Sequence, residues 1–184
     1  MSVATTWGTE PHERSLAFPC DRYLDRFEGA YYRGVTVAAP AGTIFRWLCQ
    51  MRIAPYSYDW IDNFGRRSPR TLTPGLDDLA TGQRMMGAFE LVEFERDRHV
   101  TMRTKPGASL IASKVFGETA VTYLIAPQAG DDCRLLVKLL VAYPSGSLGW
   151  ALRLLLPWGD LVMMRRQLLN LKALSEQTVR AAGA

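Results

Sequence analysis

The segment YSYDWIDNF, residues 56–64, concentrates side chains that could move protons or hold a ligand. Its candidates for acid–base work are Tyr58, Asp59 and Asn63, and its candidates for ligand contact are Tyr56, Trp60 and Phe64. Proton transfer needs only one or two positioned groups of this kind. A structural alternative stays open, in which the aromatic rings dock a short helix while Asp59 or Asp62 caps a turn.

Glu118 and Lys138 are two further candidates, because each shares a strand face with apolar residues. If those faces line the interior, the two side chains could form a pair or hold a carboxylate or keto group of a ligand. If the faces point outward, the two form a cross-strand ion pair that contributes under about 1 kcal/mol. The sequence supports both interpretations.

Large apolar side chains at inward positions could form the wall of a ligand cavity, which needs an apolar lining with few polar groups. The candidates outside the aromatic segment are Phe45, Phe89, Met102, Tyr123, Val137, Leu139, Met164 and Leu168. Each also suits an ordinary core. Methionine favours an adaptable pocket because its thioether side chain is flexible.

Other chemistries lack their motifs. The sequence has no GxSxG and no glycine-rich phosphate or dinucleotide loop, which argues against a serine nucleophile and against nucleotides. Its three cysteines are far apart without a CxxC, and there are only two histidines. We therefore expect no metal and no cofactor, and any enzyme of this sequence would be cofactor-independent.

Composition indicates one ordinary globular domain of 184 residues, with 48% hydrophobic residues and a net charge of +4. The arginines are scattered along the chain, whereas a nucleic-acid binder needs clustered charge. We therefore expect no nucleic-acid partner. The first residues lack a basic start followed by an apolar run, and together with the unpaired cysteines this predicts a cytoplasmic protein.

Hydrophobic periodicity predicts the elements that position these residues. A strand over residues 31–37 leads into a helix over 42–51, and the aromatic segment forms a second, short helix. After a loop over 66–82, strands follow at residues 85–96, 99–105, 115–126 and 133–143. Their short joints predict antiparallel pairing. The rest is helical, and Pro157 is expected to divide it into helices over 148–156 and 160–181.

This order, with the segments VTVAAPAGTIFRWL and YSYDWIDN and the later Gly-Gln-Arg at residues 82–84, resembles the START and birch-pollen-allergen superfamily, also called SRPBCC, and its polyketide cyclase/dehydrase-like branch. The resemblance implies an α+β helix-grip fold, in which a curved antiparallel sheet wraps around a long C-terminal helix. It covers residues 31–184 as a single domain, and residues 1–30 form an arm that partly packs on it.

The resemblance implies an internal apolar cavity, and so the first hypothesis is binding of a hydrophobic small molecule or lipid there. The alternative is a cyclase/dehydrase-like enzyme that uses acid–base residues in the same cavity. A third hypothesis is peripheral contact with a membrane surface or a partner through residues 148–158, which combine Trp150, Trp158 and a leucine run with arginine. The sequence leaves the oligomeric state open.

Overall fold

A six-stranded antiparallel sheet packs against one long helix in the computed structural model, which describes residues 2–63, 65–104 and 118–183. The strands are β1 (Gly29–Val37), β2 (Arg84–Met85), β3 (Phe89–Glu95), β4 (His99–Thr104), β5 (Glu118–Pro127) and β6 (Cys133–Ala142). They lie in the order β1-β6-β5-β4-β3-β2. The helix-grip fold expected from the sequence is confirmed.

Within the described ranges, five α-helices accompany the sheet: α1 (Val3–Thr6), α2 (Pro11–Arg14), α3 (Ala41–Cys49), α4 (Asp59–Asp62) and α5 (Gly146–Ala182). Single 3₁₀ turns follow at Pro19–Arg22 and Gln50–Arg52. The two short helices expected after the first strand are thus α3 and α4. Pro40 precedes α3, where its missing N–H is not needed, and Ile44, Phe45, Trp47 and Leu48 give this helix a buried face.

Strand alternation places the odd-numbered residues of β1 and β6 on the inner face, toward α5. On β1 the buried inner residues include Tyr31, Val35 and Val37, and on β6 they include Leu135 and Val137. Leu168, Leu171 and Leu174 of α5 pack into the same core. The inner face and the C-terminal half of α5 therefore form the main hydrophobic core.

The outer face of the sheet is covered by the N-terminal segment that precedes β1. Phe18, Cys20 and Leu24 pack against Leu136 and Leu140 of β6 in a second, smaller core. Cys20 N donates to Thr122 Oγ1 at 2.9 Å, which ties the segment to β5. This second core explains why the even-numbered residues of β5 and β6 are also apolar.

Pro157 does not divide the last helix, and the prediction of two helices is wrong. α5 runs through Pro157 without interruption. A proline inside a helix costs about 3 kcal/mol, but packing on both sides can offset that cost. Gly149 is buried before the proline and Leu168 after it, and the buried Arg33 side chain contacts both Pro157 O and Asp160. These tertiary contacts keep the segments before and after Pro157 in one continuous helix.

The predicted strand over residues 85–96 is also interrupted. It consists of β2 and β3, which are joined by a tight turn where Met86 has φ 46° and Gly87 has φ 76°. Met86 N donates to Met51 O at 2.8 Å, which fixes this turn against the end of α3. The positive φ values mark a reversal that periodicity alone did not reveal.

Candidate functional site

The interior between the sheet and α5 is closed at one end and less closed at the other. Toward the C-terminus of α5, Leu168, Leu171 and Leu174 are buried. Toward its N-terminus, the residues that face the sheet are only half-buried: Leu152, Leu156, Met163 and Met164. Facing them, Leu139 of β6 and Phe89 of β3 point inward and are half-buried as well. Apolar side chains at this end of the sheet–helix interface are therefore partly exposed.

Most of the expected wall residues lie on this inner side. Phe45, Tyr56, Met102, Tyr123, Val137 and Leu168 are buried in the main core, and Phe89, Leu139 and Met164 are packed against it. Trp60 departs from the expectation because 75% of it is exposed on the surface of α4. Phe64 lies outside the described residues. The half-buried members, not the fully buried ones, border the accessible part of the interior.

A buried hydrogen-bonded chain lies at the middle of α5. Tyr123 Oη donates to Gln167 Oε1 at 2.5 Å, and Gln167 Nε2 donates to Pro55 O at 2.5 Å. Burial raises the pKa of Tyr123, so its hydroxyl stays protonated and acts as a donor. The chain connects β5, α5 and the loop before α4, and it fixes the wall next to Met164.

Arg33 and Asp160 form an ion pair at the edge of the interior, with Arg33 Nη2 2.7 Å from Asp160 Oδ2. The same guanidinium donates to Ala4 O and Tyr32 O, while its Nε has no hydrogen-bond partner within the described residues. Burial raises the pKa of Asp160 to about 6, although the Arg33 charge opposes the shift. A carboxyl group that titrates near neutral pH can give or accept a proton.

Two tyrosines and a threonine add polar atoms to this end of the sheet. Tyr31 and Tyr143 share a hydrogen bond between their hydroxyl groups, and the Arg153 guanidinium lies 5.3 Å from the centre of the Tyr143 ring. Thr119 is buried, and its Oγ1 has no hydrogen-bond partner within the described part of the chain. These atoms could bind a hydroxyl or carbonyl oxygen.

Sequence reasoning missed these polar residues, although two signals were present. Arg33 occupies an inner position of β1 by strict alternation among Tyr31, Val35 and Val37. Asp160 is the only acidic residue between Asp132 and Glu176. A charged residue on each of two facing apolar surfaces is the pattern of a buried pair. The pairing itself depends on the fold and is not readable from local periodicity.

The aromatic segment forms a separate cleft at the surface, about 230 Å³ in volume. It is lined by Tyr56, Ser57, Tyr58, Asp59, Trp60, Ser68, Pro69, Arg70, Arg166, Asn170 and Leu174. Asp59 Oδ2 accepts from Ser68 N at 3.0 Å, and Asn63 Nδ2 donates to Arg66 O at 2.6 Å. The polar groups of these two side chains are therefore used in hydrogen bonds within residues 59–68. Tyr58 faces the cleft, where the Arg166 guanidinium lies 5.8 Å from its ring centre.

Tyr56 marks backbone strain beside that cleft. Its φ is 60°, in the left-handed region that a bulky residue rarely adopts. Asn170 Nδ2 donates to Tyr56 O at 2.8 Å, and the ring packs edge-on against Trp47. Burial raises the pKa of Tyr56 to about 12, and its hydroxyl has no hydrogen-bond partner among the described residues. The surrounding contacts hold this loop in place over α5.

Glu118 and Lys138 do not meet, and neither faces the interior. Lys138 lies on the outer face, where its Nζ is 2.6 Å from Asp21 Oδ1 and 5.5 Å from the Phe18 ring centre. Burial opposes its charge, but the Asp21 carboxylate outweighs that effect and raises the pKa. Glu118 is exposed and pairs in register with Ala142, whereas Lys138 pairs with Thr122. The idea that the two form an interior pair is therefore wrong.

The part of the chain that the structure describes lacks two other kinds of feature. No cluster of three His, Cys, Asp or Glu side chains could hold a metal ion there. No described helix is both long enough and apolar enough to cross a bilayer. The three cysteines, Cys20, Cys49 and Cys133, are free and buried.

Comparison with known proteins supports the fold. No family model matches the chain, and no curated protein matches it significantly. The solved structure of the Zhui aromatase/cyclase from Streptomyces sp. R1128 is similar, with 16% identity, a TM-score of 0.54, and coverage of 84% of this chain and 98% of that one. A hypothetical protein from Helicobacter pylori has 16% identity and a TM-score of 0.54, covering 88% and 96%. A protein from Mycobacterium smegmatis has 15% identity and a TM-score of 0.50, covering 79% and 89%.

Proposed function

From its polyketide cyclase-like SRPBCC fold, we propose that the chain binds a hydrophobic small molecule or lipid between the sheet and the N-terminal half of α5. The observation that carries this proposal is the set of inward but half-buried apolar residues, above all Leu139 and Met164. A fully packed core leaves no such surface accessible. The ligand is a mostly apolar molecule with one oxygen-bearing end.

The polar end of the ligand is assigned from the groups that border the same space. Tyr31, Tyr143 and Thr119 offer hydroxyl groups, and Asp160 offers a carboxyl group. Ligand sites of this kind are mostly apolar with a few placed polar groups that fix orientation. A hydroxyl, keto or carboxyl oxygen fits this set, whereas a large polar headgroup would leave its own polar atoms without partners.

The test is displacement of a fluorescent dye, 1-anilinonaphthalene-8-sulfonate, by oleate and by a tricyclic aromatic carboxylate. Leu139→Trp fills the proposed space and should abolish dye binding while the far-ultraviolet circular dichroism is unchanged. Leu124→Trp is the matched control, because Leu124 is also half-buried on a central strand but belongs to the outer core. Equal dye binding by both variants would rule out the interior site.

The cyclase/dehydrase-like alternative is supported by one observation, the Asp160 carboxyl group at the edge of the interior with its pKa raised to about 6. A cyclisation needs a cavity that folds the substrate and one or two acid–base groups. Among the residues named from the sequence, Tyr58, Asp59 and Asn63 remain candidates, whereas Glu118 and Lys138 face away from the interior, and Asp160 and Tyr143 join the set.

The enzyme alternative is tested with a short poly-β-ketone thioester and the appearance of aromatic absorbance. Asp160→Asn and Tyr143→Phe should each lower turnover without preventing dye binding, and alanine variants at the five sequence-derived positions provide the comparison. If wild-type protein binds the thioester and leaves it unchanged, the binding function stands without the enzymatic one.

A docking function for residues 148–158 is favoured by a separate observation. Leu148, Trp150, Leu154, Leu155 and Trp158 are all exposed large apolar side chains on one helix. A concentration of such residues marks a contact surface more often than scattered single ones do. Contact with a membrane surface or with a partner protein therefore adds to the ligand-binding function.

A further inference from the structure

The exposed apolar residues of α5 form one stripe, which we call the α5 stripe: Leu148, Trp150, Leu154, Leu155, Trp158 and Val162. Spacings of four join Trp150, Leu154, Trp158 and Val162, and spacings of seven join Leu148, Leu155 and Val162, so these residues occupy the side of the helix away from Asp160. The opposite side carries Gly149, Asp160 and Gln167, which contact the rest of the fold. Trp150 is 66% exposed and Leu155 is 69% exposed, so the stripe faces solvent.

The α5 stripe is connected to α4 through Arg166. This arginine follows Val162 by one helical turn, and its guanidinium lies 5.8 Å from the Tyr58 ring centre at the start of α4. α4 itself exposes Trp60 by 75% and Ile61 by 51%. Trp60 is therefore a third exposed tryptophan, on an element that contacts α5 at Arg166.

The charges around this surface are mostly positive. Exposed arginines adjoin it on α5 and after α4: Arg165, Arg166, Arg66, Arg67 and Arg70. The acidic residue nearest the stripe in sequence, Asp160, is turned inward to Arg33. Glu28 pairs with Arg153 beside this surface, and the Asp59 carboxylate accepts a hydrogen bond from Ser68 N, so two carboxylates lie among a larger number of arginines. The surface combines tryptophan, aliphatic side chains and an excess of positive charge.

We propose that the α5 stripe and α4 dock on the surface of an anionic bilayer, with α5 lying in the plane of the interface. The proposal rests on the docking function of residues 148–158 and commits it to lipid. Tryptophan prefers the interface between headgroups and acyl chains, and arginine is attracted to anionic headgroups. An interfacial helix of this kind buries its apolar side without crossing the bilayer.

A second copy of the chain fits the surface less well than lipid does. Pairing two α5 stripes would bring two arginine rims together, and on each copy the exposed Glu28 carboxylate is already paired with Arg153. Phosphatidylglycerol headgroups supply the negative charge that the surface lacks. The electrostatic attraction also predicts that binding weakens as salt screens it.

The experiment is flotation with vesicles of phosphatidylcholine alone and of phosphatidylcholine with one third phosphatidylglycerol. The full chain should float with the anionic vesicles, show a blue shift of tryptophan emission, and be released as salt rises from about 0.1 M to about 0.5 M. Trp150→Ser with Trp158→Ser should weaken binding by about tenfold or more. Arg165→Gln with Arg166→Gln should remove the preference for anionic vesicles.

Ile53→Ser is the matched control, because Ile53 is a 46% exposed apolar residue that belongs neither to the α5 stripe nor to α4. It should bind vesicles as wild-type protein does. All altered positions are exposed, and near-ultraviolet circular dichroism verifies that each variant is folded. Equal vesicle binding by wild-type protein and the double tryptophan variant would overturn the proposal, as would the absence of binding to either vesicle.

Light scattering after size exclusion separates the two levels of the proposal. If wild-type protein ignores vesicles but is a dimer that the double tryptophan variant converts to a monomer, residues 148–158 do dock, but on protein, and the lipid inference fails alone. If wild-type protein ignores vesicles and is a monomer, the docking function fails in both its lipid and its self-association forms.

Discussion

Arg33 Nη2 lies 2.7 Å from Asp160 Oδ2, which joins the edge strand β1 to the middle of α5 inside the fold. The pair is a buried one, since the Arg33 side chain is 1% exposed and that of Asp160 is 10% exposed. Burial lowers the pKa of Arg33 and raises that of Asp160, so desolvation exceeds the mutual attraction on both sides. A buried ion pair of this kind fixes the position of α5 on β1, and it is weak evidence for added stability.

The first prediction concerns the pH dependence of stability. The pKa of Asp160 is about 6 in the folded protein against 3.8 as its ordinary value, so the folded state binds more protons between those values. The free energy of unfolding that this group contributes therefore falls as the pH rises through that window, and it stays low above it. Asp160→Asn removes this dependence because an amide does not titrate.

Between pH 5 and pH 7.5, wild-type protein should lose about 1 kcal/mol of unfolding free energy relative to Asp160→Asn. Urea unfolding of both proteins at the two pH values measures the difference, and the effects of other titrating groups cancel between them. A difference that is constant with pH, or that changes in the opposite direction, would contradict a raised pKa.

The second prediction concerns Gly8, where the N-terminal segment crosses β1. Its φ is 73°, and a Cβ built there would lie 2.1 Å from Gly34 O. Gly130 has the same φ of 73° with nothing within 4 Å, so it isolates the cost of the backbone conformation. Both alanine variants should be destabilised by about 1 kcal/mol for that conformation.

Gly8→Ala should lose about 2 kcal/mol beyond Gly130→Ala, because the added methyl group pushes the segment away from β1. Thermal or urea unfolding of the two variants measures this excess. Equal stability of the two would mean that the segment shifts freely and is not held at this contact.

The third prediction concerns the hydroxyl group of Tyr123. Tyr123→Phe leaves Gln167 Oε1 buried without the donor that it has at 2.5 Å, which should cost about 1 to 3 kcal/mol. Tyr32→Phe is the control, because Tyr32 is a half-buried strand tyrosine whose hydroxyl has no hydrogen bond to another described residue. Its unfolding free energy should change by under about 0.5 kcal/mol. A comparable loss in the two variants would assign the effect to the ring and not to the hydrogen bond.

The fourth prediction concerns thiol reactivity. Burial raises the pKa of Cys20 to about 11 and that of Cys49 to about 12, and it also raises the pKa of Cys133. The thiolate is the reactive form, so native protein at pH 8 should react slowly with Ellman's reagent at all three positions. In urea, which unfolds the protein, all three thiols should react. One thiol that reacts as fast as free cysteine in native protein would show that its surroundings open readily.

The architecture was predictable because the order of elements, a strand and two short helices, then four strands with short joints followed by helix, resembles the helix-grip arrangement of the SRPBCC superfamily. Local features that depend on tertiary contact were not. Pro157 alone predicts a break in α5, but Arg33 and the packing on both sides preserve the helix. Met86 and Gly87 reverse the chain within a run that reads as one strand.

At the candidate site, the main difficulty was to predict which face of each strand points toward α5. The outer face of β6 is apolar because the N-terminal segment covers it, so Lys138 shares its surroundings with Leu136 and Leu140 although it points away from α5. With both faces apolar, alternation separates two sets of residues without saying which one is inside. Asp59 was ambiguous for another reason, since its partner Ser68 lies in a loop that periodicity does not describe.

The contact at Gly34 has a consequence for the behaviour of the chain in concentrated solution. β1 is the last strand on its side of the sheet, and Gly34 N donates to Trp7 O at 3.1 Å. A bare edge strand offers unpaired amide groups to any neighbouring molecule and is a starting point for aggregation. The N-terminal segment occupies part of that edge, and its removal by a protease would uncover a template for intermolecular β-sheet growth.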